Sequence, residues 1–396
     1  MLRERAALDD FRKKVALVGV AESDLGETPH LTELQLHAQA AKRALDDAGI
    51  PKSEIDGILS VTSARHVRFP SVTVAEYLQI TPSYTDTTGM GGSSFEAMVQ
   101  HAAMAIAAGI CKTCLITYGS TQRSQASRNL GGVSQESWIP QSQFDSPYAL
   151  PMMAGAYAMA AQRHMHLYGT KPEQLAAIAV AARGWARLNP VAFMREPLTI
   201  ADVMASPMIS TPLKKLDCCL VTDGGGAVVV TSVERAKSLK KPPIYLWGSA
   251  ETHTHSSITQ MPELTVTPAA ISGPAAFKSA GITPADIDVA QIYDSFTVTT
   301  LMTLEDLGFC PKGEGGPFAE GGRLAPGGAF PINTQGGGLS YCHPGMLGIF
   351  LIIEAVRQLR GESGLRQIDD ASLALCHGMG IALSTSSTLI LGKEPR

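Results

Sequence analysis

The 396-residue chain contains one unit written twice. ALDDAGIPKSEIDGI, from Ala44, and AFKSAGITPADIDVA, from Ala276, share Ala, Ala-Gly-Ile and Ile-Asp at fixed offsets, 232 residues apart. The elements around them repeat in the same order. VALVGVAE (15–22) reads as a buried strand, LTELQLHAQAAKRALDDAG as a helix ending at Gly49, and IPKSEIDGILSV as a turn and strand. PIYLWGSAE, AAISGPAAFKSAG (ending at Gly281) and ITPADIDVAQIY follow the same sequence of strand, helix, turn and strand. A glycine turn, a helix and a strand then recur in both halves, as GGSSFEAMVQHAAMAIAAG…CLITYGS and as GGGLSYCHPGMLGIFLIIEAVRQLRG…SLALCHGMG. Repetition of a whole α/β unit predicts a duplicated fold of mainly parallel sheets covered by helices. The halves are expected at 1–240 and 241–396, with the charged, proline-containing KSLKKPPIY (237–245) as their link. Residues 120–215 fit neither copy and read as an insertion covering the first half and shaping a pocket. Met152, Met153, Tyr157 and Met159 within it suit an apolar pocket wall, or core.

A chain with 45% hydrophobic and 17% charged residues can bury a large core, and its net charge of −4 argues against nucleic acid as a partner. The charged start, MLRERAALDDFRKKVALVGV, has no signal-peptide core, and no apolar run reaches the length of a membrane span. A cytoplasmic protein is expected. Seven cysteines do not suggest a disulfide framework. Cys111 and Cys114 form a lone CxxC without a second pair, so no metal is expected; Cys218 and Cys219 alternate along a strand-like run and read as core.

Four turns carry residues suited to chemistry. Gly92 and Ser93 lie where a glycine turn enters a helix of small residues (94–108), whose N–H groups can face developing negative charge. Ser93 as a nucleophile needs a neighbouring base; its simpler role is helix N-cap. Tyr293 and Asp294 stand at a strand end in QIYDSF. A tyrosine there can donate to an oxyanion or shuttle a proton, and the aspartate can orient a neighbour or cap a helix. GGGLSYCHPG carries Tyr341, Cys342 and His343, and LALCHGMG carries Cys376, His377 and Gly380.

Together these features, in this order and over nearly the whole chain, resemble the thiolase superfamily, most closely the sterol-carrier-protein type of thiolase and its non-thiolase relatives. The resemblance implies a five-layered αβαβα fold with one helix of each half buried between two sheets. It places Gly92 where a thiolase holds its reactive cysteine, in a Cys-x-Ser-Gly motif. Tyr293 stands where thiolases have the asparagine of Asn-Glu-Ala-Phe. His343-Pro344 matches the Gly-His-Pro motif, although the shorter spacing to Gly348 leaves Cys342 or His343 at that position. Cys376 and Gly378 match the acid/base Cys-x-Gly, His377 adds a titratable group, and Gly380 offers a backbone N–H to an oxyanion. Steroid side-chain retro-aldolases, which are thiolase relatives, look similar at Tyr293 and also lack the cysteine. Their second tyrosine sits at the histidine position, whereas Tyr341 here lies two residues before His343.

The function expected from this resemblance is making or breaking the C–C bond beside an acyl-CoA thioester without a cysteine acyl-enzyme, as in aldol chemistry. A conventional acyltransferase using Cys342 or Cys376, and a catalytically silent subunit, are the alternatives. Coenzyme A enters as substrate and no bound cofactor is expected. A homodimer, and a small partner with a zinc ribbon and an OB-fold, are the assemblies the resemblance implies.

Overall fold

The computed structural model describes residues 10–62, 69–126, 141–148, 150 and 153–396. The first half runs β1 (Val15–Glu22), α1 (Glu33–Ala48), β2 (Gly57–Ser60), α2 (Pro70–Leu78), β3 (Tyr84–Asp86), α3 (Ser94–Ala107) and β4 (Thr113–Ser120). Then come α4 (Gln122–Ala126), α5 (Met153–Tyr168), α6 (Pro172–Arg187), α7 (Ile200–Ala205) and a small hairpin of β5 (Met208–Ser210) and β6 (Leu213–Lys214). β7 (Gly224–Ser232) and α8 (Val233–Ala236) complete that half. The second half comprises β8 (Ile244–His253), α9 (Ala269–Ala280), β9 (Val289–Ile292), α10 (Thr297–Asp306), α11 (Gly315–Ala319), α12 (Gly348–Arg360), β10 (Leu373–Gly380) and β11 (Thr385–Gly392).

The repeated residues have repeated jobs. Gly49 and Gly281 end α1 and α9 in the left-handed conformation, at φ 68° and 71°, which a glycine adopts without steric cost. Gly19 on β1 and Gly248 on β8 let those strands lie directly on the helix behind them. A Cβ at Gly19 would overlap Ala44 O and sit 2.7 Å from Ala48 Cβ; one at Gly248 would overlap Ala276 O and sit 2.9 Å from Ala280 Cβ. The shared alanines of the repeat are therefore the contact surface of one strand–helix packing made twice.

The strands are ordered β3-β2-β4-β7-β1-β8-β11-β10-β9, a sequence that mirrors about the β1–β8 junction. Expectation and structure differ in strand direction. β2 runs parallel to β3 and β4, and β9 parallel to β10, but β7 is antiparallel to β1 and β4, and β11 to β8 and β10. The sheets are mixed, because β10 and β11 are joined by only four residues, too few for the crossover a parallel pair needs. α1 packs on β1, β4 and β7; α9 packs on β8 and β11; α3 and α12 lie between the two halves of the strand array. Helix, sheet, buried helices, sheet and helix make the five layers.

α3 and α12 are buried along most of their length, from Ser94 to Ile106 and from Gly348 to Leu359. Each large apolar side chain of α12, such as Phe350, Leu351 or Ile352, contributes about 1.5–3 kcal/mol by leaving water. Within the insertion, α5 and α6 pack on α10, and α6 also on α11 and on the turn 337–341, all in the second half. Cys218 and Cys219 occupy a loop rather than a strand and are half-buried. Among the described residues, no helix is long and apolar enough to cross a membrane.

Candidate active site

The glycine turn enters α3 through a single 3-10 turn, Gly91–Ser93, with Gly91 at φ 62°. Gly92 is a glycine for a different reason. A Cβ there would overlap Cε2 and Cζ of Tyr293 and stand 2.5 Å from Met379 O. The tyrosine ring occupies the space a side chain at position 92 would take.

Tyr293 follows β9, and its backbone N–H donates to His377 O at 2.9 Å. Its hydroxyl lies 2.8 Å from His343 Nε2, and the Leu347 N–H donates to the phenolic oxygen at 3.3 Å. Both side chains are buried, at 5% and 3% exposure. Burial holds the His343 imidazole neutral, its pKa lowered to about 4, and pushes the Tyr293 phenol well above its ordinary value. With the Leu347 N–H already on the phenolic oxygen, we assign the Tyr293 O–H as donor and Nε2 as acceptor. The imidazole proton then sits on Nδ1, which has no partner.

The loops hold this pair rigidly. His343 N–H donates to Thr222 Oγ1 at 3.0 Å and its carbonyl accepts from Thr222 N at 3.2 Å. Asp294 lies inside the turn Gly337–Tyr341. Its Oδ1 accepts from Gly338 N at 2.6 Å and its Oδ2 from Leu339 N at 3.3 Å. A Cβ at Gly337 would lie 2.7 Å from the Asp294 carboxyl carbon. Burial raises the Asp294 pKa to about 7 against these N–H bonds. Asp294 is therefore bonded into the turn that precedes His343; it is not a helix cap.

Ser93 stands at the N-cap position of α3 but makes no side-chain capping hydrogen bond, and it is not a poised nucleophile. Its hydroxyl donates to Met90 O at 2.9 Å and lies 2.7 Å from Thr385 Oγ1, with no base beside it. The neighbouring hydroxyl bridges the helix entrance instead: Ser94 Oγ accepts from Met90 N and donates to Gly91 O. Gly380 closes on the same turn, where a Cβ would overlap Met90 O.

The remaining sequence candidates point elsewhere. Tyr341 donates to Glu22 Oε1 at 2.8 Å, in a network with Arg357. Cys342, next to it, is fully buried and its thiol is pushed well up by burial, which disfavours the thiolate a nucleophile needs. Cys376 is raised in the same way and directs Sγ at Leu351 O of α12. His377 points to the opposite face of β10, with Nδ1 2.8 Å from Thr388 Oγ1, and burial lowers its pKa to about 3. The strand alternation that turns His377 away brings Gly378 onto the site, where a Cβ would lie 2.7 Å from Ser93 Cα.

Neither Tyr293 nor His343 lines the cavity of about 470 Å³ that is bordered by Phe296 and Leu339 from the segments adjoining the site. Cys219 N donates to Ser295 O and Leu220 N to Gly338 O, so the cavity wall is tied to the Asp294 turn. Leu216, Leu220, Val221, Phe296, Phe193 and Leu339 make it largely apolar, and Arg123, Arg183 and Lys215 add positive charge. Cys218 and Cys219, read as core, belong to this wall. Met153 lines it and Tyr157 stacks on Phe296 at 4.4 Å, whereas Met159 lines a separate open groove and Met152 lies outside the described residues. Glu96, two residues into α3 and completely buried, was missed. Its signal was a lone carboxylate within a helix otherwise suited to packing on all sides.

Residues 250–393 match the thiolase C-terminal domain-like family. Across 96% of its length the chain is 36% identical to the 17-hydroxy-3-oxo-4-pregnene-20-carboxyl-CoA lyase of Mycobacterium tuberculosis, covering 99% of that protein. It is 34% identical to a steroid side-chain-cleaving aldolase of Thermomonospora curvata, over 96% of this chain and 98% of that one. The solved structure of an Ltp2-ChsH2(DUF35) aldolase superposes with a TM-score of 0.86 at 34% identity, covering 96% of this chain and 98% of that chain. The chain belongs to the thiolase superfamily.

Proposed function

We propose that this thiolase-like enzyme cleaves, and in reverse forms, the Cα–Cβ bond of a β-hydroxyacyl-CoA by a retro-aldol route with no acyl-enzyme. The observation that carries the reading is the Tyr293 ring seated over Gly92, where the family resemblance puts a thiolase's cysteine, with its hydroxyl on a neutral His343. A thiolate is needed when an acyl group must be held between two half-reactions. Aldol cleavage needs only a base for the β-hydroxyl and stabilisation of an enolate.

The pair supplies the proton path. Tyr293 gives its proton to His343 Nε2 as the phenolic oxygen takes the proton of the substrate β-hydroxyl. The Cα–Cβ bond breaks, the β-carbon becomes a ketone, and the bonding electrons enter the thioester enolate. Tyr293 then protonates Cα and recovers its proton from His343, which returns to neutral. The Leu347 N–H steadies the phenolic oxygen throughout. The turn at Gly92, at the N-terminus of α3, faces the enolate oxygen with positive potential. The apolar cavity with its Arg123, Arg183 and Lys215 charges suits an apolar acyl group carried on a phosphorylated thiol.

The relatives' printed names, a CoA lyase and side-chain aldolases, support this substrate class. The ChsH2(DUF35) component in the name of the matched aldolase supports a protein partner for this chain, and we extend the expectation of a homodimer and a cytoplasmic location on the same family grounds. The test is turnover of tertiary β-hydroxyacyl-CoA esters, with products and intact protein read by mass spectrometry. Cleavage to a ketone and a shortened acyl-CoA is expected, with Tyr293→Phe slower by about 10²–10⁴-fold. Unchanged turnover in that variant, or an acyl group on Ser93, Cys342 or Cys376, overturns the proposal.

A further inference from the structure

Glu96 places its carboxyl where the two buried helices begin, against Gly348 and Gly378. Its side chain is completely buried and neither oxygen has a hydrogen-bond partner. The slot it fills is made by glycines from two other elements. A Cβ at Gly348, the first residue of α12, would lie 2.6 Å from Glu96 Oε2 and overlap Gly92 O. A Cβ at Gly378 on β10 would overlap Glu96 Oε2 and lie 2.7 Å from both the Glu96 carboxyl carbon and Ser93 Cα. Three chain segments thus close around this carboxyl: the start of α3, the start of α12 and the end of β10. Both helix starts carry positive potential from their free N–H groups, and the proposed enolate site is at the first of them.

From β10 the Cys376 thiol, with Sγ on Leu351 O, lies close enough to Glu96 to feel its charge and is held neutral, chiefly by burial. Tyr293, from the end of β9, lies on the other side of Gly92, with His343 beyond it. α12 presents Gly348 to the slot, and no cation among the described residues is hydrogen-bonded or ion-paired to Glu96. A carboxyl so placed is neutral at the pH of most cells. Burial raises its pKa to about 8, against the weaker pull of its own backbone N–H.

We propose that Glu96 is a positioning residue that keeps the positive potential of the two helix N-termini available to the enolate while it is neutral, and quenches that potential when it ionises. The inference rests on the retro-aldol reading for the identity of the anion. Its chemistry is simple: a carboxylate at this junction competes for the same N–H dipoles that the enolate needs, and a neutral acid does not. The carboxyl is not hydrogen-bonded to Tyr293 and does not line the described cavity, so its effect on rate is through the turn.

The experiment compares wild type with Glu96→Gln, a neutral residue of the same shape, in three readouts. The first is kcat/KM for β-hydroxyacyl-CoA cleavage from pH 6 to pH 9.5. The wild type is expected to fall about tenfold one unit above pH 8, and Glu96→Gln to match it at pH 6.5 and lack that fall. The second is binding of acetoacetyl-CoA, followed by the absorbance of its enolate, at matched pH. Enolate binding is expected to weaken through pH 8 in the wild type relative to the variant. The third is the carboxyl ¹³C resonance of glutamate-labelled protein, where a signal titrating near pH 8 is expected in wild type only. If the wild type cleaves no β-hydroxyacyl-CoA, the retro-aldol reading falls, while enolate binding and the resonance still decide the role of Glu96. An alkaline limb and an enolate affinity shared by both proteins, or a Glu96 resonance already ionised at pH 6.5, overturn the inference.

Discussion

Putting a methyl group on Gly92 tests the central geometry directly. The new Cβ would fall far inside the ordinary C···C contact distance of about 3.5–4.0 Å from the Tyr293 ring, and 2.5 Å from Met379 O. Gly92 does not have positive φ, so alanine costs no backbone strain and, in open space, would be worth about 0.4–1 kcal/mol of stability. The ring and the Met379 carbonyl are therefore the whole penalty. Forcing a buried ring off its rotamer costs about 1–3 kcal/mol, and both obstacles are packed on all sides, so a loss of about 3 kcal/mol is expected for Gly92→Ala. Tyr293→Ala alone should lose about 3–5 kcal/mol as a buried aromatic truncation. In the double variant the methyl group enters the space the ring has left, and the combined loss should fall short of the sum by about 1–3 kcal/mol. Guanidinium unfolding of the four proteins at one pH, with unchanged m-values, measures the coupling. Losses that add to within about 0.5 kcal/mol would refute the argument that position 92 is glycine because Tyr293 lies on it.

Two further expectations follow from the buried carboxyls. Asp294→Asn places an amide N–H₂ opposite the Gly338 or Leu339 N–H, leaving one donor of the turn unpaired. Denaturant unfolding should show a loss of about 1–3 kcal/mol, and kcat should fall as the His343 turn shifts. Glu96 also makes stability depend on pH. Its pKa, raised from 4.5 to about 8 by burial, gives a contribution that is fully present below pH 4.5 and lost as pH rises through 8. The stability difference between Glu96→Gln and wild type should shift toward the variant by up to about 5 kcal/mol across that window in pH-dependent unfolding; a difference independent of pH would show that Glu96 is ionised in the fold.

Much of the architecture was legible because the repeat preserves contacts, not merely composition. Ala44 and Ala276 recur because each receives a glycine-bearing strand, and Gly49 and Gly281 recur because each ends a helix at positive φ. Strand direction was misread because alternation of strand and helix was extended to β11, which follows β10 with no helix between them. The short IALS link between β10 and β11 carried the correct signal. At the site, Tyr293 and His343 were visible as turn residues in a known order, whereas the direction of each side chain was not. Tyr341 was drawn off by Glu22, 319 residues away, an attraction no local pattern encodes. His377 was misjudged for want of strand phase, since only one face of β10 meets α3 and its turn, whereas Cys376 shares that face and is set aside by its buried, neutral thiol.

The relation between positions 92 and 293 is of another kind. Read singly, Gly92 is a missing nucleophile and Tyr293 an added phenol. Their contact makes them a single exchange of volume, because a Cβ at 92 and the ring of 293 overlap. A cysteine could not be restored at 92 with Tyr293 in place, since its Sγ lies beyond a Cβ that already has no room. The ring that fills this space also carries the hydroxyl bound to His343, so under the proposed retro-aldol route the loss of the thiol site and the gain of a proton path are one structural event. That is why the turn at the start of α3 can keep its N–H groups and its buried helix while the covalent step is given up. The dipole that would stabilise a tetrahedral oxyanion is equally suited to an enolate, so the chemistry changes at the phenol and the electrostatics need not change at all.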